Sequence, residues 1–337
     1  MKLDFEHHQS AHCESGVTSS LLRESSLNKI TEPLAFGIGA GLFFVYIPLI
    51  KINTGPAIAF RTFPGLIFKR TCNALGIPVA RKKFSSKEQA EVYLKKCLEE
   101  GHPVGCQVGV YYLSYFPKEY RFHFNAHNLI VYGKEDDNYL ISDPVMETTT
   151  TLTSYELERV RFAKGALAPK GQIYYPQSSV VITDEQIKKA IIKGIKNNVN
   201  QMLRIPGSFA GVKGIRNTGQ KIKKWRDKLG LQKAGLYLAQ LVRMQEEIGT
   251  GGGGFRYIYA AFLQEAYAYL EKEELLEVSN LFTQSGDLWR TAAVQAAGIY
   301  KGRLGSQEDF DVMGDHLIEI SVLEKEAFRI LKNIEWQ

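Results

Sequence analysis

The chain has 337 residues, 45% of them hydrophobic and 23% charged, which excludes a disordered or low-complexity protein and leaves material for a sizeable core. Its 42 Lys+Arg against 36 Asp+Glu give a formal net charge of +6, and its four cysteines are too few and too scattered for a disulfide framework or a Cys-x-x-Cys site. At roughly 100–200 residues per domain, two domains are expected.

The opening MKLDFEHHQSAHCESG has charges and histidines where a secretion signal would have an apolar core, so a cytoplasmic protein is expected. Val17, Leu21 and Leu22 at helical spacing predict a helix from close to Cys13 to about Ser26. From Pro33 to Ile50 there is no charge, over a length of about 18 residues that would suit a membrane span. Gly37, Gly39 and Gly41 alternate inside it and Pro33 and Pro48 bracket it, so a short buried helix, a tight turn and a buried strand are expected, with no membrane partner.

A second helix is expected over Ser85–Glu100, opened by a capping box from Ser85 to Glu88, with Ala90, Tyr93, Leu94, Cys97 and Leu98 on its core face and a stop at Gly101. Val104–Leu113, Asn128–Tyr132 and Tyr139–Ser142 read as strands, the last two flanking the polar turn Lys134–Asn138 as an antiparallel hairpin. A stretch punctuated by Gly and Pro, Gly165–Gln177, leads into a region without strand signals. From Thr183 helices are expected over 184–203, 208–228, 232–247, 255–271, 273–300 and 307–334. The overall expectation is an α+β domain over residues 1–180 followed by an all-α helical domain over 181–337.

Cysteine catalysis needs a thiolate, a base, and a group that orients the base. Cys13 is placed at a helix N-terminus, where the dipole and unpaired N–H groups favour a thiolate and can serve an oxyanion; Gln9 is a candidate second donor. Of the seven histidines, His127 opens the first hairpin strand and Asp143 closes the second. With the turn centred near residues 135–136, Asp143 falls opposite His127 or Asn128, where Cβ atoms lie about 4.5–5.5 Å apart and a His-Asp pair can form. Cys72, Cys97 and Cys106 read as plain buried thiols. His7, His8 and His12 match no common zinc spacing, so a metal cluster and a flexible terminus are both open there; no metal and no cofactor is expected.

His12-Cys13-Glu14-Ser15-Gly16, Glu32-Pro33-Leu34-Ala35-Phe36-Gly37-Ile38-Gly39-Ala40-Gly41-Leu42, Tyr111-Tyr112-Leu113 and Phe124-Asn125-Ala126-His127 leading to Asp143-Pro144 together resemble the butirosin biosynthesis H protein family. Gly249–Arg256 resembles that family's companion helical domain. The resemblance implies a papain-like cysteine-peptidase fold in the first domain, with Cys13 as nucleophile, His127 as base and acid, and Asp143 as orienting carboxylate. It makes Glu32 and Tyr112 substrate-binding candidates, and it implies acyl transfer from a carrier-protein thioester to an amine. The chain departs from the family pattern at Gly109 and Asn128, where Asp and His are frequent.

Gly249–Gly254 reads as a hinge or close-packing loop, and Arg256, one turn beyond it, is a candidate anion contact. Lys188–Lys233 holds 13 Lys/Arg and one acid, Asp227, so the positive charge is a local cluster. It suits an acidic carrier protein or plain solvation, and no nucleic-acid motif accompanies it. A small-molecule or peptide substrate is expected. Acyl transfer, hydrolysis by a peptidase or amidase, and a non-catalytic binding protein on the same scaffold are the three readings, and the oligomeric state is not readable.

Overall fold

A computed structural model describes residues 1–24, 29–52, 55–177 and 182–336. In chain order the elements are α1 (Cys13–Glu24), α2 (Glu32–Ile38), β1 (Leu42–Ile52), β2 (Gly55–Arg61), α3 (Leu66–Leu75), β3 (Val79–Lys82), α4 (Lys87–Glu99), β4 (Val104–Val108), β5 (His127–Glu135), β6 (Asn138–Ser142), β7 (Thr150–Thr153), α5 (Ser154–Arg161) and β8 (Ile173–Pro176). Helices follow: α6 (Asp184–Leu203), α7 (Gly211–Ile222), α8 (Trp225–Leu229), α9 (Leu231–Val242), α10 (Arg256–Leu270), α11 (Glu273–Tyr300) and α12 (Gln307–Asn333). The expected end of the first helix at Ser26 lies outside the described residues.

The chain forms two compact units, one of Met1–Ala35 with Ile67–Thr183 and one of Phe36–Leu66 with Asp184–Gln337. The first is α+β, around a six-stranded antiparallel sheet in the order β3-β8-β4-β5-β6-β7. β4 and β5 are buried nearly throughout because both faces are covered. Cys106, Leu129, Val131 and Ile141 join Leu94 and Leu157 of α4 and α5 in one apolar core. α1 packs on β4 and β5.

Local chemistry explains where this layout departs from expectation. The cap of α4 is Ser86 rather than Ser85; its hydroxyl accepts the Gln89 N–H and donates to Glu88, a one-sided cap in place of the expected box. The strand expected to reach Leu113 ends at Val108. A Cβ on Gly109 would lie 2.5 Å from Ala163 and 2.7 Å from Asn125, and its N–H goes to Val160 O, so the chain leaves the sheet into a 3-10 turn, Val110–Tyr112. β8 lies inside the Gly- and Pro-punctuated stretch that gave no strand signal.

In the second unit the uncharged stretch resolves as expected into a helix end, a turn with Ala40 left-handed (φ 49°), and β1. No helix among the described residues is long and apolar enough to cross a membrane. Phe36–Leu66 lies within the span assigned by sequence to the first domain, yet it packs with the helices. Phe44 of β1 and Phe60 of β2 meet Trp289 of α11 at ring distances of 5.9 and 5.0 Å, a burial that the ribbon alone could not supply. α7 and α12 cross at a pair of glycines; a Cβ on Gly219 would lie 2.5 Å from Gly314 O. The helix expected over 208–228 breaks into α7 and α8, and α9 ends in a π turn over Arg243–Glu247.

Candidate active site

The motif at residues 12–16 assembles the start of α1 residue by residue. His12 stands just before the helix, and its Nδ1 takes the Ser15 N–H (3.3 Å) and pairs with the Ser15 hydroxyl (2.8 Å), the bonding of a helix cap. Glu14 is fully buried and accepts the Ile67 N–H at 2.9 Å, tying α1 to the first turn of α3. Gly16 admits close packing: a Cβ there would sit 2.6 Å from Ser10 and 2.7 Å from Pro144. The Ser10 N–H donates to Pro144 O at 2.6 Å, so the Asp143–Pro144 corner is held against the helix start that carries Cys13.

Cys13 is buried at the first position of α1. His127, at the start of β5, bonds through Nε2 to Asp143 Oδ2 at 2.7 Å, and Cys13 is its other side-chain hydrogen-bond partner. With Nε2 engaged, Nδ1 is the nitrogen left for the thiol. The hairpin register reaches this pairing by a different route from the one expected. Ile130 faces Ser142, and Glu135 faces Asn138 across a two-residue turn, with a bulge between Val131 and Gly133. Continuing the ladder brings position 143 to Leu129, not to His127 or Asn128; Asp143 lies one residue beyond β6 and its side chain spans the offset.

Asp143 is sealed from solvent. Oδ2 also accepts the Tyr115 hydroxyl at 2.7 Å, and Oδ1 accepts the Val145 N–H at 3.2 Å. The Phe116 ring stands edge-on to His127, 5.4 Å away. Burial opposes charge on His127, but the Asp143 carboxylate and the Cys13 sulfur outweigh it and push the imidazole up to about 10. Burial and the Asp143 charge push the Tyr115 hydroxyl well above its usual range, which keeps it a neutral donor.

Asn128 follows His127 on β5 and also approaches Cys13. Its Nδ2 lies 3.8 Å from Cys13 Sγ and donates to Ala126 O (3.2 Å), while its Oδ1 accepts the Tyr174 hydroxyl (2.7 Å). Gly105 makes room for the Tyr174 ring, which a Cβ would meet at 2.5 Å. Sequence reasoning marked Asn128 only as a departure and missed Tyr115 and Tyr174. A tyrosine on a turn and another on an unrecognised strand carry no signal until the turn and strand are placed.

The other cysteines differ in kind. Burial pushes the Cys72 thiol up to about 12, Cys106 to about 11, and Cys97 in the same direction. Gln9 is exposed. Glu32 accepts the N–H groups of Ala11 (3.0 Å) and His12 (2.8 Å) and the Ser15 hydroxyl (3.1 Å), so its carboxylate braces the segment before Cys13. Tyr112 lies beneath the Arg159 guanidinium, 4.2 Å from the ring centre. His7 bonds to the Ser142 hydroxyl (2.8 Å) and Met146 O (3.0 Å), and Leu3 N–H donates to Tyr132 O, so this terminus is fixed along the hairpin instead of being flexible. Among the described residues no group of three or more His, Cys, Asp or Glu side chains could hold a metal.

Residues 155–331, 177 of the 337, match the family described as domain of unknown function (DUF4872). The chain belongs to this family. Residues 12–144 match the family described as butirosin biosynthesis protein H, N-terminal, so the resemblance read from the sequence holds for both parts of the chain. That match opens at the helix cap of Cys13 and closes on the Asp143–Pro144 corner. No curated protein matches the chain. Within the DUF4872 region, Arg256 is not an anion contact. It is fully buried, paired to Glu324 through Nε (2.8 Å) and Nη2 (2.9 Å), and its Nη1 donates to Gly254 O (2.8 Å). The glycine loop before it is a close-packing element: Gly252, Gly253 and Gly254 all have positive φ, and the Gly253 N–H donates to Glu246 (3.1 Å).

Proposed function

We propose that the chain is a papain-like cysteine enzyme that forms a thioester on Cys13 and passes the acyl group to an amine. The observation that carries this reading is the buried His127–Asp143 bond of 2.7 Å with Cys13, at the start of α1, as the other partner of the ring. The cation on His127 and the positive end of the α1 dipole both favour a Cys13 thiolate. The thiolate attacks the acyl carbonyl carbon, and the imidazolium gives its proton to the leaving thiolate or amine. An incoming amine then attacks the thioester, His127 takes the amine proton, and the Cys13 thiolate departs. Asp143, held by Tyr115 and the Val145 N–H, keeps the ring oriented and stabilises its cation.

Hydrolysis uses the same residues with water in place of the amine. The match to a family named for the biosynthesis of butirosin favours transfer, since that name denotes building a product. The test is intact-mass analysis after incubation with acyl thioesters and peptides, beside Cys13→Ala. An acyl adduct on the parent that disappears on adding an amine, with an equal yield of acylated amine, supports transfer. Release of free acid instead supports hydrolysis. No adduct, together with an alkylation pKa near 8.5 for Cys13, overturns both and leaves a binding protein.

A further inference from the structure

The segment from Val110 to Arg121 has two sides. Tyr115 and Phe116 face Asp143 and His127, whereas Tyr112, Ser114, Lys118 and Arg121 line a separate cavity of about 450 Å³, closed by Tyr111 and by Glu156 and Arg159 of α5. The charges in its wall do not cancel. The Glu156 carboxylate accepts the Thr153 N–H (2.9 Å) and hydroxyl (3.0 Å) at the start of α5 and also takes the Ser114 hydroxyl; the Thr153 N–H foremost, with these hydroxyls and the Arg159 charge, holds it below its usual range, and this one carboxylate faces three cations. Lys118 makes no ion pair among the described residues. The Arg159 guanidinium carbon stands 4.2 Å from the centre of the Tyr112 ring, a cation–π contact that holds this exposed side chain at the cavity wall. Arg121 is locked by bonds from Nε to Phe116 O and from Nη2 to Ser114 O, so its guanidinium is pre-set in the wall.

We infer that this cavity is a binding site for the phosphate group of a small-molecule ligand. Three cations reach it from three places: the 3-10 turn Lys118–Tyr120, the residue after that turn, and α5. A tetrahedral oxyanion with several equivalent oxygens can meet donors from different directions, whereas a planar carboxylate is satisfied by a single guanidinium fork. The tyrosine hydroxyls of the wall supply further donors, whereas the Ser114 hydroxyl is taken by Glu156. The inference does not depend on the chemistry assigned to Cys13: Cys13, His127 and Asp143 are not among the lining residues, and Tyr112, a substrate-binding candidate by the resemblance, is the one residue the two readings share.

Isothermal titration of the full chain with inorganic pyrophosphate tests it, with succinate as a carboxylate control. The expected result is saturable binding below millimolar concentration that weakens as salt is added. Arg159→Gln and Lys118→Gln should each weaken it about tenfold or more, as loss of a charge-assisted bond does. Both side chains are exposed, so the variants should unfold at the parent's temperature, which separates lost binding from lost fold. Cys13→Ala should bind as the parent does. No saturable heat with the parent, unchanged affinity in both variants, or equal affinity for succinate overturns the assignment.

Discussion

Asp143 in the first unit and Glu324 in the second are both fully sealed carboxylates, and each gathers several donors. Glu324 takes the Arg256 fork, the Ser285 hydroxyl at 2.7 Å and the Trp289 indole N–H at 3.1 Å. Asp143 takes His127, the Tyr115 hydroxyl and the Val145 N–H. The difference lies in the cationic partner. A guanidinium does not release its proton in proteins, so the Arg256–Glu324 pair is a fixed element of the helical core. An imidazole can release its proton, and here its second nitrogen is given to a thiol. The same burial of a carboxylate therefore fixes a core pair in one unit and holds a titratable pair in the other, the pair on which the proposed proton transfer rests.

Disabling the mobile pair should have the greatest effect. Asp143→Asn removes the charge that raises His127, and the proposed acyl transfer should fall by about 10²–10⁴-fold, measured as the rate of acylated amine formation. The pH dependence has a definite sign. Because the folded imidazole is raised from 6.5 to about 10, its contribution to stability is fully present below about 6.5 and is lost as pH rises through 10. Urea midpoints across that window should therefore fall for the parent and flatten in Asp143→Asn. An unaltered slope would mean that His127 is not charged through the Asp143 contact.

Breaking the fixed pair should cost stability without bearing on thiol chemistry. Arg256→Ala leaves a buried carboxylate without its cation and should destabilise the helical unit by about 3–5 kcal/mol, whereas Arg256→Met combined with Glu324→Leu should cost much less. Circular dichroism during urea unfolding measures both. If the single and double variants lose equally, packing of the side chains and not the pairing of charge holds this part of the core.

How far the sequence carried depends on whether a signal was local. Most helices of the second half were readable because the apolar period is written along each segment, although the one expected over 208–228 breaks into α7 and α8, and the Cys13 helix start and the polar hairpin turn were readable from equally local signals. The His127–Asp143 pair was reached even though the assumed register was off, because an aspartate beyond a strand end can still span the offset. What stayed hidden was long-range. Phe36–Leu66 carries no mark that Phe44 and Phe60 will pack on Trp289, and Arg256 looked like an anion contact because its partner Glu324 lies 68 residues away. β8 is short and buried, and its role in bringing Tyr174 to Asn128 appears only once it lies beside β4.

The least costly change sharpens the contrast by asking which donors serve the charge that moves. Asn128 has one amide and two acceptors near it, Ala126 O and Cys13 Sγ, and Tyr174 fixes which end of the amide faces the sulfur. A donor to a thiolate stabilises the charged form, and a hydrogen bond to a charged group is worth about 1.5–3 kcal/mol, so Asn128→Leu should raise the alkylation pKa of Cys13 by about one to two units. Tyr174→Phe leaves the amide in place but free to turn, and a neutral bond is worth about 0.5–1.5 kcal/mol, so the rise should be about half a unit to one unit. Alkylation rates against pH, read by intact mass, give both values. A rise in Asn128→Leu that Tyr174→Phe does not share would mean that Ala126 O alone orients the amide. Unchanged pKa values in both variants, with folding intact, would reduce Asn128 to a packing residue and leave the thiolate to His127 and the α1 dipole.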